Sequence, residues 1–111
     1  MKPSEILVKA KKLIATEQTW CQGLLAMNKY RETNPRAKDA IAWCAIGAVQ
    51  KISRAYKPLD YISDIVEEEG WNSVDALNDE TDHATVMWMF SKAIKKARKD
   101  EQKKALKSKQ K

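Results

Sequence analysis

The chain is poor in the residues that make turns, crosslinks and metal sites: three Gly, three Pro, two Cys and one His among 111 residues. So few Gly and Pro leave few tight turns, which suits a handful of long helices better than many short strands. Cys21 and Cys44 form no C-x-x-C pair, and His83 is the lone imidazole, too small a ligand set for zinc. No Gly-rich phosphate loop, dinucleotide fingerprint or internal repeat is present, so phosphate-cradle chemistry is unsupported. Neither a metal nor another cofactor is implied. The uncharged run Ala40–Val49 is about half of the roughly 20 residues that a bilayer helix needs, so no membrane span is expected. Met1 to Ala15 interleaves Lys9, Lys11 and Lys12 with apolar residues, unlike a secretion signal. The two thiols therefore read as reduced, buried small hydrophobes, and the expected compartment is the cytoplasm.

What the chain does have is enough apolar sequence for one modest core, and charge that is unevenly placed. The formal net charge is +6; residues 95–111 carry nine Lys or Arg against Asp100 and Glu101, which is +7 and leaves −1 on residues 1–94. The body is essentially neutral. A terminal run such as Lys103, Lys104, Lys107, Lys109 and Lys111 reads first as a solvated tail. Its alternative reading is a set of phosphate contacts made by Lys95, Lys96, Arg98, Lys99, Lys103 and Lys104.

Periodicity points to an all-α protein, a compact bundle of about five helices around a central apolar helix. Ile6, Leu7, Ala10, Leu13 and Ile14 make one stripe of a first helix, opened by Pro3 and Ser4. Trp20 to Met27 reads as a second short helix or a bent continuation. Asn34-Pro35 is a good helix opening, so a long helix is predicted from there through the run Ala40–Val49. That run is apolar on every face, which places its helix at the centre, with Trp43 in the core. After Pro58, the residues Leu59, Ile62, Ile65 and Val66 face inward on a helix that Gly70 ends. Trp71, Val74 and Leu77 mark a short helix or turn. A loop over Asn78 to Asp82 is predicted next, with Thr81 or Asp82 capping a last helix whose core stripe is Val86, Phe90, Ala93, Ile94 and Ala97. Residues 1–97 are thus the single helical domain, and 98–111 a Lys-rich tail, frayed or disordered.

Three blocks carry a resemblance: Trp20-Cys21-Gln22-Gly23 with Ala26, then Ala42-Trp43-Cys44-Ala45-Ile46-Gly47-Ala48, then Asn78-Asp79 before Val86 and Ala93-Ile94. Over roughly residues 5–97 the chain resembles a family of small, all-helical bacterial and phage proteins that share W-x-x-G, A-W-C-A-x-G-A and N-D motifs. The resemblance implies a fold and a cytoplasmic setting; the family has no established activity to carry over.

Three functional readings follow. The first is a non-enzymatic helical interaction protein, encoded by a phage or mobile element and acting on a host factor, with a protein partner or a second copy of itself. Its surface is Met87, Trp88 and Met89, because five consecutive apolar residues, Val86–Phe90, exceed what one helix stripe buries. The second is a small-ligand or nucleotide binder lined by Trp20, Gln22, Asn78, Asp79 and Thr81, residues that equally serve as helix caps. The third is sequence-indifferent nucleic-acid binding through the basic tail, without aromatic residues for base stacking. No catalytic residue is assigned. Cys44 in an apolar surround is a poor thiolate, Cys21 is expected to be less enclosed, and His83 reads as a surface residue without a nucleophile.

Overall fold

The computed structural model describes the backbone of residues 1–109 and the side chains of residues 1–107; Gln110 and Lys111, the end of the predicted tail, lie outside it. Among the described residues the fold is predominantly all-α, with five α-helices and one two-stranded antiparallel sheet: α1 (Pro3–Leu13), β1 (Ala26–Met27), β2 (Ala42–Trp43), α2 (Ala45–Ile52), α3 (Lys57–Glu68), α4 (Val74–Glu80) and α5 (His83–Lys109). Pro3 sits in the first turn of α1, where its missing N–H costs no helical bond. Ile6, Leu7, Ala10 and Ile14 are all buried, as the stripe predicts. α1 packs on α2 and α5, and α3 packs on α5 and also touches α1.

The sequence from Asn34 to Val49 departs from the expected single helix. Asn34 opens a tight turn, its Oδ1 accepting from the Arg36 amide, and Ala37 and Ala40 close further turns. Ala42 and Trp43 then pair with Met27 and Ala26, and the helix begins only after Cys44. Periodicity cannot separate a buried strand from a buried helix in a short apolar run. Here the run is divided, with Ala42 and Trp43 in the strand and Ala45–Val49 in the helix, and Ala42, Trp43, Cys44, Ala45, Ala48 and Val49 are buried. The indole of Trp43 donates to the Pro35 carbonyl across this turn. Trp20 to Met27 is likewise no helix. A single 3-10 turn over Glu17–Thr19 precedes Trp20, which bridges to Trp43, and the chain then enters β1.

α3 follows expectation, with Ile62, Ile65 and Val66 buried and Gly70 at φ +83 turning the chain out of the helix. The predicted loop over Asn78–Asp82 shrinks to two residues, because Asn78, Asp79 and Glu80 complete α4. Asp82 then caps α5, its Oδ1 accepting from the amide and hydroxyl of Thr85. Those bonds hold the Asp82 carboxyl below the usual range. Val86, Phe90, Ala93, Ile94 and Ala97 of α5 all lie in the core.

α5 continues unbroken past Ala97 to Lys109. Its two acids turn inward: Glu101 accepts from the amide and hydroxyl of Ser4 at 3.1 and 2.6 Å, and Asp100 accepts from the Tyr61 phenol at 2.9 Å. Packing between α5 and the body therefore reaches Glu101, beyond the predicted domain end.

Candidate functional site

Three stretches distant in sequence meet at one buried side chain. Asn78, on α4 and 1% exposed, accepts at Oδ1 from the Trp20 indole (2.9 Å) and the Ala45 amide (3.0 Å). Its Nδ2 donates to the Cys21 carbonyl (3.1 Å) and to Asp79 Oδ1 (2.9 Å). An amide side chain offers two donors and two acceptor positions, and all four are used. The Ala45 amide would otherwise be an orphan at the start of α2.

The neighbouring polar residues close the same knot. Gln22 aims its Nε2 at the carbonyls of Asn78, Asp79 and Thr81, each at 3.0–3.1 Å, and so satisfies the C-terminal end of α4. Asp79 Oδ1 also accepts from the Gly23 amide at 2.9 Å, where Gly23 takes φ +79. The Thr81 hydroxyl donates back to the Leu77 carbonyl. Trp20, Gln22, Asn78, Asp79 and Thr81 are thus brought together as the sequence suggests, with the Trp20 indole, the Asn78 amide, Gln22 Nε2, Asp79 Oδ1 and the Thr81 hydroxyl bonded to one another and to backbone.

α2 is fixed by equally local means. Cys44 Sγ accepts from the Gly47 amide at 3.3 Å and so acts as its N-cap. Gly47 lies against the backbone of Leu25 so closely that a Cβ there would fall 1.8 Å from the Leu25 carbonyl oxygen. The Trp-Cys-Gln-Gly, Ala-Trp-Cys-Ala-Ile-Gly-Ala and Asn-Asp blocks therefore form a single packing and hydrogen-bonding unit.

Its chemistry is quiet. Burial pushes the Cys21 thiol up to about 11, with Cys44 and Asp79 adding to the effect. Burial also pushes Cys44 up, against the opposing pull of the Gly47 and Ile46 amides. Neither is the thiolate that nucleophilic attack needs. Cys21 is 8% exposed, more enclosed than the sequence suggested. His83 is half-buried rather than on the surface; its Nε2 lies 2.7 Å from the Ile14 carbonyl and its ring 5.5 Å from that of Trp20. Asp79 and His83 form no pair, since each is bonded elsewhere. Beside the knot lies an open cleft of about 250 Å³ edged by Cys44 and by three carboxylates, Glu32, Asp75 and Asp79. Among the described residues no group of three His, Cys, Asp or Glu is placed to hold a metal ion.

The family of unknown function DUF6197 matches residues 1–96, which include this whole unit. The chain belongs to that family. The match covers α1 to α4, the motif unit and the first half of α5, and stops short of Ala97. No curated protein and no solved structure matches.

The remaining candidates lie on α5, where successive residues point about 100° apart. Met87, Trp88 and Met89 consequently do not share a surface. Met89 is fully buried in the core, which corrects its assignment to an interaction face; Met87 is half-buried towards α1, and Trp88 is 41% exposed. The six basic candidates divide in the same way. Lys96 pairs with Asp64 (3.4 Å) and Glu68 (3.2 Å) of α3, and Arg98 edges the groove between α1 and α5. Lys95, Lys99 and Lys103 share the outward face, whereas Lys104 points away from it. One member of that face escaped the sequence reading. Lys92 lies on it one turn before Lys95, with its ammonium 5.6 Å from the centre of the Trp88 ring, and Trp88, expected on an interaction surface, begins the stripe. The spacing 88, 92, 95, 99, 103 is the signal that could have found Lys92. Among the described residues no helix is long and apolar enough to cross a membrane.

Proposed function

We propose that this is a non-enzymatic binding protein whose working surface is the outward face of α5, and that the surface takes a single-stranded nucleic acid through its phosphates. One observation carries the reading: Lys92, Lys95, Lys99 and Lys103 stand in line on a helix whose only two acids, Asp100 and Glu101, are bonded inward to Tyr61 and Ser4. No carboxylate of α5 relieves that charge. From Trp88 to Lys103 the stripe is about 22 Å long at the helical rise. Trp88, at one end, offers an exposed indole on which a base can stack, and this supplies the aromatic element that the tail alone lacks. The phage or mobile-element setting, the action on a host factor and the cytoplasmic location belong to the same proposal; they rest on the resemblance of the motifs.

Four phosphate contacts to a single strand predict that log Kobs falls with log salt at a slope of about −3. Fluorescence anisotropy with a labelled oligonucleotide at several salt concentrations measures it. The combined substitution Lys92→Gln, Lys95→Gln, Lys99→Gln and Lys103→Gln should abolish binding, and Trp88→Ala should weaken it while leaving the slope unchanged. Binding that survives the four substitutions would overturn the proposal. So would competition by polyglutamate as effective as that by unlabelled oligonucleotide, which would make the partner an acidic protein.

A second reading, a protein partner, is favoured by the groove between α1 and α5. Val8, Ala15, Met87 and Ile94 supply its apolar part and Lys11, Lys12 and Arg98 its charge, a combination that suits an acidic amphipathic helix.

A further inference from the structure

A cleft that borders the motif unit at Leu25 and Pro35 has a composition that neither α5 nor the family match accounts for. It lies between the turn at Asn34–Arg36 and the segment joining α2 to α3, and it measures about 420 Å³. That volume is within the range of small-ligand sites. Leu25, Pro35 and Leu59 form its apolar part; Arg36, Arg54 and the phenol of Tyr56 stand around it. Among the described residues no carboxylate lines it, although acids edge the clefts beside Cys44, beside Ser4 and beside Asn72.

The two guanidinium groups are differently prepared. Arg36 donates from Nε to the Gln50 carbonyl at 3.0 Å, which fixes its plane and leaves both terminal nitrogens as donors. Arg54 has no carboxylate partner among the described residues. A fixed fork beside a free one suits an oxyanion, which both can bond in the plane of the guanidinium. Tyr56, 82% exposed, is an unburied aromatic ring at the mouth, and Leu25, 39% exposed, presents aliphatic surface nearby. A large apolar side chain left in water on both sides of a donor-rich cleft calls for a flat hydrophobic body attached to the anion.

We propose that this cleft binds an oxyanion carried on a flat ring system, the chemistry of a nucleoside monophosphate. Arg36 and Arg54 hold the phosphate, and the ring lies against Leu25, Pro35 and Tyr56. The site stands apart from the α5 stripe and does not depend on it.

The test is a ¹H–¹⁵N NMR titration of the full chain with adenosine monophosphate, run beside inorganic phosphate and adenosine as the two halves of the ligand. The nucleotide should give saturable shifts in the amides of residues 53–59 and in the side-chain Nε–H signals of Arg36 and Arg54. Arg36→Gln with Arg54→Gln should weaken binding about tenfold or more. Tyr56→Ala should weaken the nucleotide and spare inorganic phosphate. If the double variant fails to fold, Arg54→Gln alone serves, because that side chain has no carboxylate partner to lose. The proposal is overturned if no saturable shift occurs in the cleft at millimolar nucleotide, if the shifts fall only on the α5 lysines, or if the arginine variants bind as well as the parent. Equal affinity for inorganic phosphate would overturn the ring-binding part.

Discussion

At the scale of single residues, the chain spends its most distinctive side chains on holding itself together. Asn78 joins the starts of two segments to the end of α4, and Gln22 completes that helix end. Both reading as ligand residues and reading as caps were open from the sequence, because buried amides do either. In the structure both cap helix ends. Gly47 is the clearest case of a residue explained by space alone: the Leu25 carbonyl that it meets is itself held by the Cys44 amide at 3.1 Å, so it has little freedom to withdraw. Gly47→Ala should therefore cost about 3 kcal/mol or more, the upper end of overpacking effects, since the clash is with backbone. Urea denaturation measures the loss. A midpoint close to that of the parent would show that β1 can shift away from α2 and that the close approach is not essential.

At the scale of elements, α1, α3 and the first half of α5 were legible because each buries one stripe at helical spacing. β2 and α2 were not. The Ala40–Val49 run has no polar residue to report a face, and the pairing of Ala42 with Met27 is a contact between distant segments that periodicity does not encode. The second half of α5 was hidden for another reason: its anchors, Tyr61 to Asp100 and Ser4 to Glu101, are polar pairs 39 and 97 positions apart. The first of these gives α5 a pH dependence. Burial and donation to Asp100 push the Tyr61 phenol from 10.0 up to about 12. A raised folded value means that its contribution to stability is fully present below the unfolded value. It is then lost as pH climbs from about 10 towards about 12. Stability should decline over that interval in the parent, and the share of the decline due to this residue should be missing in Tyr61→Phe. Urea midpoints collected across the alkaline range for both proteins check it; parallel curves would show that Tyr61 ionises alike in folded and unfolded chains.

At the scale of the whole molecule, the positive charge and the motif unit occupy different places. The neutral body carries the Asn78 knot, and the family match ends at residue 96, so Lys99 and Lys103 lie beyond what the family defines. Folding and binding should therefore separate under mutation. Asn78→Ala strands the Trp20 indole, the Ala45 amide and the Cys21 carbonyl, and each unsatisfied buried group costs about 1–3 kcal/mol, so a loss of about 3 kcal/mol or more is expected. Whatever fraction stays folded should bind oligonucleotide with an unchanged salt slope, because no lysine has moved. Among the described residues the four outward lysines form no salt bridge, and replacing them with glutamine removes mutual repulsion along one face. That variant should melt at or slightly above the temperature of the parent while failing to bind. Thermal melts and anisotropy on the two variants decide the matter together. A fall in melting temperature for the lysine variant would mean that the stripe serves the fold, and the loss of binding could then no longer be assigned to phosphate contacts.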